Sequence, residues 1–293
     1  MKVIFGPASV DLAERVSNIL GCDGVFVVSK VFPDGEMYIR LDGDVAGEDV
    51  IVVQTTCPPL QDGKLFQLAF MVDAAKRAGA GKVTVVIPYF AYARQDKMFL
   101  SGEGINAGTV ARMLGASGLD DLLTINIHSE HVLSEFPFPV RSVSAISLLA
   151  EYFVDQGFKG AFALAPDKGA MYIASEAQHV LGGNVGFLSK VRDRYTGQTV
   201  QSAEGLNVEG QVVVIFDDII STGGTIVGAT KILKECGAKK VFAACVHPLL
   251  IGDASKRILE AGVEDIVGTD SVPGPFSRVS LASLISKQFS KGV

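Results

Sequence analysis

The chain has 293 residues, 48% hydrophobic and 20% charged, which is the balance of a folded globular chain with room for two ordinary domains. Its formal net charge of −6 argues against a general nucleic-acid binder, which needs a basic surface. No apolar run reaches the roughly 20 residues that span a bilayer, so no membrane partner is expected.

The opening MKVIFGPAS reads as a strand at once and lacks the apolar core of a secretion signal. In chain order, strands are expected at 3–5, 25–28 and 50–53, a helix at 61–78, a strand at 83–87 and a helix at 104–116. Strands follow at 122–127 and 161–165, a helix at 168–181, a strand at 212–216, a helix at 224–236, a strand at 241–246 and a helix at 253–261. In the first helix Leu65, Leu68, Ala69 and Val72 mark a buried stripe. Short β-branched runs alternating with amphipathic segments indicate parallel sheets covered by helices. Cys22, Cys57, Cys236 and Cys245 are scattered with no CxxC spacing; buried free thiols in a reducing cytoplasm are the expectation.

The chain also echoes itself. AGAGKVTVVIP (78–88) resembles CGAKKVFAACVHP (236–248), and GLDDLLTINI (118–127) resembles GVEDIVGTDS (262–271). The first pair of segments lies further apart than the second, which places an extra loop within 89–104. Two copies of one α/β domain are expected, 1–145 and 146–293. Functional groups concentrate in such loops.

VVVIFDDIISTGGTI (212–226) carries the strongest chemistry. In parallel sheets, ligands bind beyond the carboxyl ends of strands, and Asp217 and Asp218 sit at such an end. Carboxylates accept hydrogen bonds from vicinal hydroxyls. Ser221, Thr222, Gly223, Gly224 and Thr225 then open a helix whose N–H groups favour an anion. Together they suit a sugar phosphate; the plainer reading is a helix capped by Asp or Ser. The equivalent strand of the first half ends in Gln54 and Thr55 instead of acids.

Other segments allow two readings each. YFAYARQDK (89–97) offers Arg94, Gln95 and Lys97 for a base or phosphate, or a solvated loop. VFPDGEMYIR (31–40), with Phe32, Asp34 and Glu36, is by itself a turn entering a strand. NIHSEH (126–131) places His128 after a strand, without a third ligand at zinc spacing. LAPDKGA (164–170) ends a strand with Asp167, which also suits a helix cap. LSKVRDRYTGQT (188–199) spaces Lys190 and Arg192 so that an extended chain turns both toward one polyphosphate.

The 212–226 loop resembles the phosphoribosyl-diphosphate loop of the type I phosphoribosyltransferase fold. The separated motifs together resemble the ribose-phosphate pyrophosphokinase family, over nearly the whole chain. That resemblance implies two tandem phosphoribosyltransferase-like domains, each a mostly parallel sheet flanked by helices. It implies diphosphoryl transfer from ATP to ribose 5-phosphate with Mg2+, in a homodimer or higher oligomer with a composite active site. It further implies that Arg94, Gln95 and Lys97 meet ATP and that Phe32, Asp34 and Glu36 reach the adenine of a neighbouring subunit's ATP. By the same resemblance His128 and Asp167 lie at magnesium, Lys190 and Arg192 are catalytic, and 217–218 with 221–225 hold ribose 5-phosphate. The chain departs from common family forms at Asn126, where Asp is usual, and at KMFLSGEGIN, with Gly104 where proline is frequent. An ordinary phosphoribosyltransferase would share the 212–226 loop without needing the duplicated domain, and a regulatory paralogue would share the fold with a decayed site.

Overall fold

The computed structural model describes residues 1–192, 199–202 and 206–290, and the backbone alone of 190–192 and 199–202. The chain divides into two compact units. The first comprises Met1–Val143, Ser271–Pro273 and the residues from Ser280 onward; the second comprises Ser144–Asp270 and Gly274–Val279.

The first unit contains β1 (Lys2–Phe5), α1 (Val10–Leu20), β2 (Asp23–Val31), β3 (Met37–Asp42), β4 (Val50–Val53), α2 (Gln61–Arg77), β5 (Val83–Ile87), α3 (Asn106–Ala116), β6 (Asp121–Ile125) and β7 (Val140–Val143). Its described sheet has the order β3-β2-β1-β4-β5-β6-β7. All pairings are parallel except the β2–β3 hairpin. Every residue of β4, β5 and β6 is buried, because helices cover both faces; their apolar runs therefore do not alternate. Leu68, Met71 and Val72 of α2 supply the stripe that packs on this sheet.

The second unit contains α4 (Ile146–Asp155), β8 (Phe162–Ala165), α5 (Met171–Leu181), β9 (Val185–Phe187), β10 (Ser189–Arg192), β11 (Thr199–Ser202), β12 (Val212–Ile220), α6 (Gly224–Glu235), β13 (Lys240–Pro248), α7 (Ala254–Glu260), β14 (Ile266–Thr269) and β15 (Ser277–Val279). Its main sheet is parallel, in the order β15-β14-β13-β12-β8-β9. β10 and β11 form a separate antiparallel pair. Phe153 of α4 packs on Phe216 and Phe242, with ring centroids at 6.2 and 5.6 Å.

The echo has a topological counterpart: β4-β5-β6 in the first sheet correspond to β12-β13-β14 in the second. The surplus lies in the connection after β5, which spans 88–105, against 249–253 after β13. The last helix, α8 (Ala282–Lys287), packs on α1, with Leu281 and Ile285 fully buried. The split expected at 145/146 assigned this tail to the second half; here it completes the first. A helix this short has too little pattern to announce its partner.

In each sheet the strand order reverses between two neighbours, β1 and β4 in one and β8 and β12 in the other. Such switch points open a crevice at the strands' carboxyl ends. Among the described residues no helix is long and apolar enough to cross a membrane. All four cysteines are free; Cys57 and Cys245 are buried, whereas Cys22 and Cys236 are only partly so, contrary to the expectation for those two.

Candidate functional site

The second unit's switch point is built by strands of unequal length. β12 pairs with β8 only as far as Ile215↔Leu164, but with β13 as far as Ile220↔Pro248. The strand thus runs past the expected 212–216 and carries Asp217 and Asp218 beyond the end of β8. Asp218 is 9% exposed and accepts from Ile219 N–H at 2.8 Å, while Asp217 accepts from Asp218 N–H at 3.0 Å. Burial, the Asp218 charge, a side-chain hydrogen bond with Asp218 and the charge of Asp167 push the Asp217 carboxyl up to about 8. Burial and its acidic neighbours therefore favour the protonated form of Asp217, and a cation at the site would favour the ionised form. Cys245 faces Asp217 in register, and burial holds its thiol well above its usual range.

The loop that follows is not a side-chain-capped helix start. The N-cap of α6 is Gly223, in the left-handed region at φ 77°, and no side chain caps the helix. A Cβ on Gly223 would stand 2.8 Å from Ile258 Cδ1, so the site demands glycine twice over. A Cβ on Gly224 would meet nothing within 4 Å; the fold does not require glycine there, and its lack of a side chain leaves room for a ligand. Ser221 is half-buried, and Thr222 and Thr225 are exposed. Asp167, by contrast, does cap: its Oδ1 accepts from Gly169 and Ala170 N–H at 2.9 and 3.3 Å. The capping reading of Asp167 is realised, and its charge still reaches Asp217.

The first unit's switch point is filled by the chain itself. Gln54 and Thr55 are fully buried. Gln54 Oε1 accepts from Ala8 N–H at 3.0 Å and Ser9 Oγ accepts from Thr55 N–H at 2.8 Å, joining the ends of β1 and β4. A Cβ on Gly6 would lie 2.4 Å from Gln54 Oε1. The side chain that replaces the acid occupies the crevice.

In that unit the candidate residues lie further along the sheet, after β5 and β6. Thr56 Oγ1 donates to Tyr89 O at 2.7 Å and accepts from Ala91 N–H at 2.9 Å, which fixes the root of the 89–97 loop. Tyr92 sits at φ 69° and donates to Asp62; Gln95 N–H donates to Tyr92 O at 2.9 Å. Arg94, Gln95 and Lys97 are exposed. The Gln95 side chain accepts from Asn106 of α3, and Lys97 Nζ lies 5.3 Å from the Phe99 ring. Asn126 takes φ 37°, a backbone region in which Asn is better tolerated than most residues. Two residues later comes His128, and then Ser129, whose Oγ donates to Asp96 Oδ2 at 2.6 Å. That bond, the largest cause of the Asp96 carboxyl lying below its usual range, brings the Arg94 and His128 loops together. Sequence reasoning passed over both Asp96 and Ser129.

Phe32, Asp34 and Glu36 form the exposed tip of the β2–β3 hairpin. Asp34 Oδ1 accepts from Glu36 N–H at 3.1 Å, and Lys30 Nζ lies 4.9 Å from the Phe32 ring. The tip shares the sheet's carboxyl rim with Arg94, but β1 and β4 intervene between β2 and β5, a separation of roughly 14 Å at ordinary strand spacing. The fold therefore does not gather the two groups within one unit. Lys190 and Arg192 belong to β10, opposite Gln201 and Thr199 of β11; their side chains lie outside the described residues.

The raised Asp217 carboxyl has a measurable consequence. An aspartate whose carboxyl is pushed up to about 8 when folded, against an ordinary 3.8, binds its proton more tightly in the folded chain. The stability it contributes is fully present below about pH 4 and is lost as pH rises toward 8. In metal-free buffer, wild-type melting temperature should fall relative to Asp217→Asn between pH 5 and 8, on the order of 5 °C. Parallel melting curves for the two proteins would show that Asp217 titrates normally.

Against this geometry the comparisons with known proteins are consistent. A family model described as the N-terminal domain of ribose phosphate pyrophosphokinase matches residues 1–118, and the phosphoribosyl transferase domain matches 142–271. A ribose-phosphate pyrophosphokinase of Methanobrevibacter smithii is 43% identical over 97% of this chain and 98% of its own. One of Methanothermobacter thermautotrophicus is 44% identical over 95% and 96%. The crystal structure of phosphoribosylpyrophosphate synthetase from Mycobacterium smegmatis superposes with a TM-score of 0.86 at 30% identity, covering 98% of this chain and 96% of that one. Similarity that spans both units and nearly the full length of its relatives leaves one assignment: this chain belongs to the ribose-phosphate pyrophosphokinase family.

Proposed function

We propose that the chain transfers the β,γ-diphosphoryl group of ATP to the anomeric hydroxyl of ribose 5-phosphate, giving phosphoribosyl diphosphate and AMP. The observation that carries this reading is the contrast between its two switch points: one opens on an acid pair and an uncapped glycine helix start, the other is filled by Gln54. Asp217 and Asp218 accept from the ribose hydroxyls, and the N–H groups of 221–225 hold the 5-phosphate. Arg94, Gln95 and Lys97, with His128 alongside, hold the nucleotide. Phe32, Asp34 and Glu36 serve the adenine of a neighbouring copy, since their own hairpin stands apart from Arg94; a homodimer or larger assembly follows. The cytoplasm and the absence of nucleic-acid and membrane partners remain part of the proposal.

Magnesium suits the donor set. Among the described residues no group of three or more His, Cys, Asp or Glu is placed to cage a metal, and magnesium typically takes one or two carboxylates and completes its shell with water and substrate phosphates. Asp167 is the carboxylate assigned to it, and His128 the imidazole. Bound magnesium would neutralise charge on the polyphosphate. Diphosphoryl transfer depends on positioning and charge neutralisation more than on covalent catalysis. Lys190 and Arg192 stabilise the negative charge that grows on the oxygen leaving with AMP.

Mixing the chain with ATP, magnesium and ribose 5-phosphate should yield AMP and phosphoribosyl diphosphate in equal amounts. ADP with a singly phosphorylated product would replace this reaction with an ordinary kinase.

Lys190→Ala should lower turnover by a factor on the order of 10²–10³ while the Michaelis constants move far less, as expected for a contact made mainly in the transition state. A folded variant with turnover within about twofold of wild type would remove Lys190 from the mechanism.

A further inference from the structure

Three consecutive carbonyls of the loop after Asp218 are occupied from one side. Leu250 N–H donates to Ile220 O at 3.0 Å, and Ile251 N–H to Ser221 O at 3.0 Å. Arg257 Nη2 donates to Thr222 O at 2.6 Å. In an ordinary strand successive carbonyls alternate in direction; here all three turn toward the 250–257 segment. In a planar trans peptide the C=O and the next N–H point opposite ways. The N–H groups of Ser221, Thr222 and Gly223 are therefore directed away from that segment. Donors aligned in this way form an anion-binding concavity, continuous with the first N–H groups of α6.

The three peptide planes are not held alike. The first two are tied by main chain and extend the β12–β13 pairing. The third is tied by a side chain, and it is the plane that most needs holding. It precedes Gly223, whose φ of 77° belongs to a residue with wide conformational freedom. Reversing the Thr222–Gly223 peptide would turn a carbonyl lone pair toward the anion in place of an N–H. Arg257 is itself fixed by Asp253, with Nε at 2.9 Å from Oδ1. A bond from a guanidinium to a carbonyl is charge-assisted and strong. Ile258, the next residue, packs under Gly223.

We propose that Arg257 is a positioning residue for the sugar phosphate: it acts on the Thr222–Gly223 peptide and not on the ligand. This rests on the reading of 217–225 as the ribose 5-phosphate site. The test is calorimetric binding of ribose 5-phosphate to the full chain, with steady-state kinetics beside it. Arg257→Met keeps much of the aliphatic stem and removes the donor. It should weaken ribose 5-phosphate binding, and raise that Michaelis constant, by about tenfold, the equivalent of one charge-assisted hydrogen bond. The Michaelis constant for ATP and turnover at saturation should stay within about threefold. Arg257→Lys, which restores a charged donor, should recover most of the loss, and the weakening should persist at about 0.5 M salt, where an unpaired distant charge is screened. Arg257→Met that binds ribose 5-phosphate as wild type does, or that weakens both substrates equally, overturns the inference alone. A wild-type chain that binds no ribose 5-phosphate overturns the site reading, and this inference with it.

Discussion

Two carboxyl groups lie side by side at the end of a buried strand, where burial first and their mutual charge second disfavour ionisation of Asp217. β12 outruns β8, so Asp217 and Asp218 emerge where a neighbouring strand has stopped. The burial that anchors the strand also penalises charge on Asp217. Without a bound cation, the site favours the protonated form of Asp217. A cation at the site would favour its ionised form. The glycine loop after the pair presents N–H groups in place of carboxylates, so hydrogen-bond acceptors and then donors follow each other along one stretch of chain.

Duplication explains why this happens once. Both units share a strand order and a switch point, but the first closes its crevice with Gln54, Thr55 and Ser9. Its exposed candidate residues have moved to the ends of β5 and β6, on a longer connection rooted by Thr56 and joined by the Asp96–Ser129 bond. On the proposed reading, a shared architecture supports two different ligand sites, because the chemistry lies in loops that the scaffold only positions.

Much of this was legible because the signals are local. The buried strands β4 and β5 and the start of β12 are β-branched runs, β13 is an apolar one, and the glycine and acid pattern of 217–225 is contiguous. Helix α1 could also have been found, since Leu12, Ala13 and Val16 form a stripe ending at the left-handed Gly21. Other features depend on separated residues. Arg257 bonds Thr222 from 35 positions away, Ser129 bonds Asp96 from 33, and α8 is explained only by α1 beside it. The capping alternatives for Asp167 and for the 221–225 loop could not be separated from residue types, since hydrogen-bond direction decides them: Asp167 caps, and α6 begins uncapped.

One of the two equivalent switch points is proposed to take the sugar phosphate while the other is closed. Calorimetric titration of the full chain with ribose 5-phosphate tests it directly. One binding site per chain is expected, lost when Asp217 and Asp218 are both changed to Asn and retained when Gln54 is changed to Glu. Two similar sites per chain, or a single site indifferent to the loss of both acids, would contradict it.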